Sequence, residues 1–171
     1  FSGDFESGWT GWRADRGIWQ VGTPTSGPAA CFSGTGCAGT HLDADYNIET
    51  DSRLISATTT LDTVTGADEL HLRFRNWFSY NAGDSGQVQV SVWDDATSTW
   101  GDWVNEGESV EEFSEWSLKA VDLTAYAGET VRIAFYHVAA DQGIDPNAAA
   151  GWFIDDVDIV LTTPAFTGDF E

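Results

Sequence analysis

Residues 69–78 read ELHLRFRNWF, and their alternation decides the fold class. Leu70, Leu72, Phe74 and Phe78 fall on one side of an extended chain and His71, Arg73, Arg75 and Trp77 on the other, because successive strand residues point to opposite faces. The same period of two recurs in RLISATTTL (53–61), GQVQVSVWD (86–94), EWSLKAVDL (115–123), TVRIAFYHV (130–138) and WFIDDVDIVL (152–161), with shorter stretches at GDFE (3–6) and GIWQVG (17–22). Clusters of Gly, Asp, Asn and Thr separate them, and helical periodicity is nearly absent. Strands in this number, each buried on one face, pack as two sheets, so the expected fold is all-β: a two-sheet antiparallel β-sandwich, or jelly roll. Between them, residues 9–38 form a long Gly- and Pro-punctuated excursion of the kind that covers a sheet or carries function.

The chain has 171 residues and a formal charge of −21, with nine Trp, ten Phe and four Tyr but only seven Lys and Arg. Its length favours one domain with an aromatic core inside an acidic shell. The charge argues against nucleic acid and anionic membrane as partners, both of which select clustered positive charge. No apolar run is long enough for a membrane span and no basic-then-apolar opening marks a signal peptide, so the start reads as that of a mature or excised segment. Cys31 and Cys37 bracket CFSGTGC, a loop flexible enough to close as a disulfide. The alternative is two free thiols, while zinc lacks a second Cys pair or closely spaced His. A bridge implies a secreted or cell-surface protein.

DFESG and GW near the start, W-x-VG-x-P, SG followed by GTHLDADYN, SRLIS, LRFRNWF, GDSGQVQVSVW, EW with VDLTAYAGETVRIAFYH, and GWFIDDVDI together resemble, in order, the MAM-like jelly-roll domains. These occur in animal receptors and in secreted bacterial proteins such as immune-inhibitor-A-type metalloproteases. The animal cysteine pattern is missing, which favours the bacterial branch. The resemblance covers almost the whole chain and implies a non-catalytic, concanavalin-like sandwich with a metal ion between the chain ends.

GDSG (83–86) looks like the surroundings of a serine nucleophile, yet His41, His71 and His137 stand in no matching context, and the stretch reads as the turn that starts a strand. DADYN (43–47) opens like a calcium loop but continues with Ile48 where Gly belongs and Leu54 where Glu belongs. The adjacent acids Asp94–Asp95, Glu111–Glu112 and Asp155–Asp156 are candidates for glycoside chemistry, but neighbours on a regular strand face opposite ways. A structural Ca2+ is the stronger expectation. Asp4 and Glu6 in the first strand, Asp43 in the turn, and Asp155 and Asp156 in the last strand supply the oxygens calcium prefers, and the resemblance places ligands in these DFE and DDV elements.

Strand alternation also sets Arg73, Arg75, Trp77, Trp93, Arg132 and Tyr136 opposite the core, as one sheet face suited to stacking on sugar rings and pairing with carboxylates. The expected function is therefore a non-catalytic extracellular adhesion module that binds a glycan or protein. A purely structural spacer and a glycan-active enzyme are its rivals. Finally, FSGDFE at residue 1 recurs as FTGDFE at residue 166. This predicts one domain over 1–161, then a linker and the opening of a second copy over 162–171, with neighbouring domains of a longer chain as partners.

Overall fold

A computed structural model describes residues 1–140 and 148–163, the Glu112 side chain excepted. The repeated FTGDFE and residues 141–147, between β12 and β13, lie outside these residues. One sheet contains β1 (Ser2–Gly3), β3 (Gln20–Gly22), β4 (Cys37–Gly39), β7 (Glu69–Ser79), β11 (Glu112–Asp122) and β13 (Gly151–Thr162). Its order is β11-β7-β13-β4-β3, with β1 beside β13. The second contains β2 (Arg13–Ala14), β5 (Thr50–Ile55), β6 (Thr59–Thr60), β8 (Ser85–Asp94), β9 (Thr99–Trp100), β10 (Val104–Val110) and β12 (Thr130–Ala139). Its order is β10-β8-β12-β5-β2, with β6 on β12 and β9 on β8. Every pairing is antiparallel, and the two-sheet sandwich expected from the alternation is the observed fold.

The core lies where the alternation puts it. Leu70, Leu72 and Phe74 of β7 face Val88 and Val90 of β8 and Ile133 and Phe135 of β12, all buried. The Phe74 and Phe135 rings meet edge to face at 4.8 Å, and Trp152 stands perpendicular to Phe135 at 5.4 Å. Each such ring contributes roughly 2 kcal/mol through burial. Gly86 makes room for the indole, since a Cβ there would lie 2.5 Å from the Trp152 ring and 2.7 Å from Val110.

Three local expectations differ. GDFE is not a strand: β1 stops at Gly3 and Phe5 turns at φ 54°, burying its ring against Trp12. RLISATTTL divides into β5 and β6: at Ser56 the amide still donates to the carbonyl of Ile133, but the Ser56 hydroxyl, in place of its carbonyl, accepts from the amide of Ile133. Within WFIDDVDIVL the register shifts between Asp155 and Asp158, with Asp156 at φ 47°. This bulge is what brings two adjacent acids to one place.

Candidate functional site

The six residues expected to share one face are divided between two. Arg73, Arg75 and Trp77 project from β7 on the six-stranded sheet, whereas Trp93, Arg132 and Tyr136 project from β8 and β12 on the seven-stranded one. Alternation distinguishes inward from outward but not which sheet a strand joins, and β7 and β8, consecutive in sequence, belong to opposite layers.

The face of the six-stranded sheet is covered around Arg75, Trp77 and Phe153. The backbone at Gly27 lies so close to the outward ring of Phe153 that a Cβ would sit 2.6 Å from it. Phe32 stacks on the Arg75 guanidinium at 4.2 Å, and the Trp116 indole donates to the carbonyl of Ala30 at 3.2 Å. Trp77, edge-on to Phe153, retains only 8% exposure. Arg73 remains exposed. The long excursion is therefore a cover, and the Cys31–Cys37 disulfide that closes its end is formed, with Cα atoms 5.5 Å apart.

The same loop engages the acidic end of the sandwich. Glu6 accepts from the amides of Thr35 and Gly36 at 3.0 and 2.9 Å, and these donors, Gly36 first, hold its carboxyl below the ordinary range. At the β13 bulge Asp155 accepts from the amide of Ser33 and Asp156 from its hydroxyl, both at 3.0 Å. Burial, with smaller contributions from the charges of Asp156 and Glu6, pushes Asp155 up to about 6. Glu6, Asp155 and Asp156 thus gather around one loop. Asp4 accepts from the amide of Glu6 at 3.2 Å, and Asp43 is exposed in its turn without a hydrogen bond to the other four. Among the described residues no group of three or more Asp, Glu, His or Cys side chains is placed to hold a metal ion.

Across the seven-stranded sheet runs a ladder of alternating rings and cations. The Arg53 guanidinium lies 4.1 Å from the centre of Tyr136 and 5.5 Å from that of Trp103. Arg132 lies 5.0 Å from Trp103 and 4.0 Å from Trp100, which meets Trp93 at 5.3 Å. The rungs come from β5, β12, β8, β9 and the 101–103 segment. Beneath them Gln89 accepts from Arg53 at 2.7 Å and donates to Asn105 at 2.8 Å, fixing the Arg53 plane. All four rings are half-buried. Arg16 pairs with Asp51, and Arg53 with Asp15 at 3.2 Å.

Of this ladder, sequence reasoning found Trp93, Arg132 and Tyr136 and missed Arg53, Trp100 and Trp103. Arg53 carried a readable signal, being an outward residue of a recognised strand. Trp100 and Trp103 sit around a short turn with no period. The GDSG turn starts β8 at Ser85 as expected, and both ring nitrogens of His137 are engaged, Nδ1 with Tyr80 and Nε2 with Thr50.

No family model matches the chain. It is 29% identical over 159 residues, 90% of its length, to Bacillopeptidase F of Bacillus subtilis (strain 168), and it spans 10% of that protein. The fold is similar to the CBM22-1 xylan-binding domain of Paenibacillus barcinonensis Xyn10C, at 16% identity and a TM-score of 0.52, covering 96% of this chain and 95% of that one. It is also similar to the K3 cleaved adhesin domain of Lys-gingipain from Porphyromonas gingivalis W83, at 18% identity and a TM-score of 0.53, covering 93% and 97%. What these likenesses show is the β-sandwich fold; they do not confirm the MAM-like resemblance.

Proposed function

We propose that the protein is a non-catalytic, extracellular glycan-binding module whose binding surface is the Tyr136–Arg53–Trp103–Arg132–Trp100–Trp93 face. The observation that carries this reading is the ladder itself, an uncovered row of aromatic and cationic side chains on one sheet while the other sheet lies under the disulfide-closed loop. Aromatic rings offer sugars an apolar platform, and the flanking Arg, Gln and Asn groups offer hydroxyls their hydrogen bonds. The xylan-binding neighbour supports a polysaccharide ligand, and the disulfide supports an oxidising, extracellular setting. Retention on a panel of insoluble polysaccharides tests the reading. Trp100→Ala and Trp103→Ala should each weaken retention by about tenfold or more, while Phe113→Ala, at the exposed edge of the other sheet, should not. A wild-type chain that no polymer retains would leave the spacer reading, and turnover of a retained polymer would favour the enzyme.

A calcium ion at the acidic end belongs to the same reading, with Glu6, Asp155 and Asp156 as its carboxylates. The repulsion these groups exert on a buried Asp155 supports it, because a cation would offset that repulsion. Chelation should lower the melting temperature, since a ligand held only by the folded state stabilises it by mass action. Asp155→Asn should abolish that response. A melting curve indifferent to chelator and to added calcium would exclude the ion. The recurrence of FSGDFE as FTGDFE supports a unit that neighbours others in a longer chain.

A further inference from the structure

Four of the six arginines lie on the seven-stranded face or its rim, and they are not equivalent. Arg16 and Arg53 are paired with Asp51 and Asp15. Arg13 and Arg132 have no carboxylate partner among the described residues: Arg13 donates to the carbonyl of Ser56 at 3.4 Å, and Arg132 to the hydroxyl of Ser91 at 3.2 Å. The Nε of Arg132 is shut off from solvent with nothing accepting its proton. Arg13 is near enough to Arg132 to lower its proton affinity, second to the effect of burial. A chain of charge −21 thus keeps two arginines, on the two strands that flank β5, without a carboxylate partner among the described residues, although it has 28 acids from which to supply one. Leaving a half-buried guanidinium uncompensated is costly unless something outside the chain compensates it.

We propose that Arg132, held against the Trp100 and Trp103 rings, forms an anion subsite with Arg13, and that the bound glycan is a carboxylate-bearing one, a uronate-containing polysaccharide. This rests on the glycan-binding reading above and deepens it. The planar guanidinium of Arg132 is held against Trp100 and Trp103, so its orientation is set before any ligand arrives, and the fork of a fixed guanidinium matches a carboxylate. A sugar ring stacked on the neighbouring indole carries its C6 carboxylate toward that fork. Elsewhere the acidic surface repels a polyanion, so the subsite also selects where the polymer lands.

The test uses polymers of one backbone that differ in carboxylate content: xylan against glucuronoxylan, and methyl-esterified against de-esterified homogalacturonan. A sulfated polymer identifies a site that reads any anion. The described chain should bind the carboxylate member of at least one pair about tenfold more tightly than its neutral partner. That ratio should fall toward one in Arg132→Gln and, in case this variant does not fold, in the exposed Arg13→Gln. Arg73→Gln, on the opposite sheet, should keep the ratio. Equal affinity within both pairs overturns the subsite while leaving the glycan reading intact, and so does a ratio that survives both substitutions. Tighter binding of the sulfated polymer than of either uronate overturns the carboxylate assignment. Binding to no polymer at all overturns both readings together.

Discussion

At the scale of single residues, His137 is a titratable group taken out of water by the fold. It is fully buried, its ring stacked with Tyr80 and edge-on to Tyr46 at 5.0 Å, with both nitrogens hydrogen-bonded. Burial is the main cause that lowers its pKa to about 4. An unfolded histidine titrates near 6.5, so between these values the unfolded chain binds more protons, and folding stability is lost as pH falls through that window. Relative to His137→Asn, the wild-type chain should lose about 3 kcal/mol more between pH 7 and pH 4, measured by urea unfolding at each pH. Taking the difference cancels Asp155, whose raised pKa acts the opposite way by favouring the folded state as pH falls toward its unfolded value. A wild-type and variant pair with parallel pH profiles would show that His137 titrates normally. Single residues were also where the sequence was least legible. The inward side of Leu70 or Val90 follows from alternation, but the convergence of Asp155 and Asp156 on Ser33 depends on a bulge that no periodicity announces.

At the scale of elements, the disulfide loop has more attachments than its short span suggests. Its amides reach Glu6 and Asp155, Phe32 covers Arg75, and Ala30 accepts from Trp116. Cys37 begins β4, the strand beside β13 at its bulge, so the bridge ties the cover to the sheet it covers. Replacing both cysteines by Ser should cost about 2 kcal/mol by freeing the closed loop in the unfolded chain. It should also raise the solvent exposure of Trp77 and Trp116, read as a red shift in tryptophan emission, without altering retention on polysaccharide by the opposite face. An unshifted emission spectrum would mean the cover holds through its packing alone. The long strands were readable because their alternation is strong. The two-residue β2 and β6 and the division of RLISATTTL were not, since stretches so short take their pairing from tertiary neighbours rather than from their own pattern.

At the scale of the whole molecule, charge acts in two opposed ways. A net −21 strains the compact state by self-repulsion, so raising salt from about 10 mM to about 0.5 M should raise the melting temperature by on the order of a few degrees. The same salt should weaken capture of a uronate polymer, because there the interaction is attractive. If stability and capture move in the same direction, the local cationic patch does not govern binding. Composition made the overall charge legible and hid its distribution: residues far apart in sequence, Arg13, Arg53 and Arg132, share one sheet only because β2, β5 and β12 follow one another across it. That placement has an optical consequence. Three of the nine tryptophans line the ladder, and Arg132, which has no carboxylate partner among the described residues, lies over two of them. Iodide, which so acidic a surface would otherwise turn away, should therefore quench the ladder's fluorescence more efficiently than caesium does.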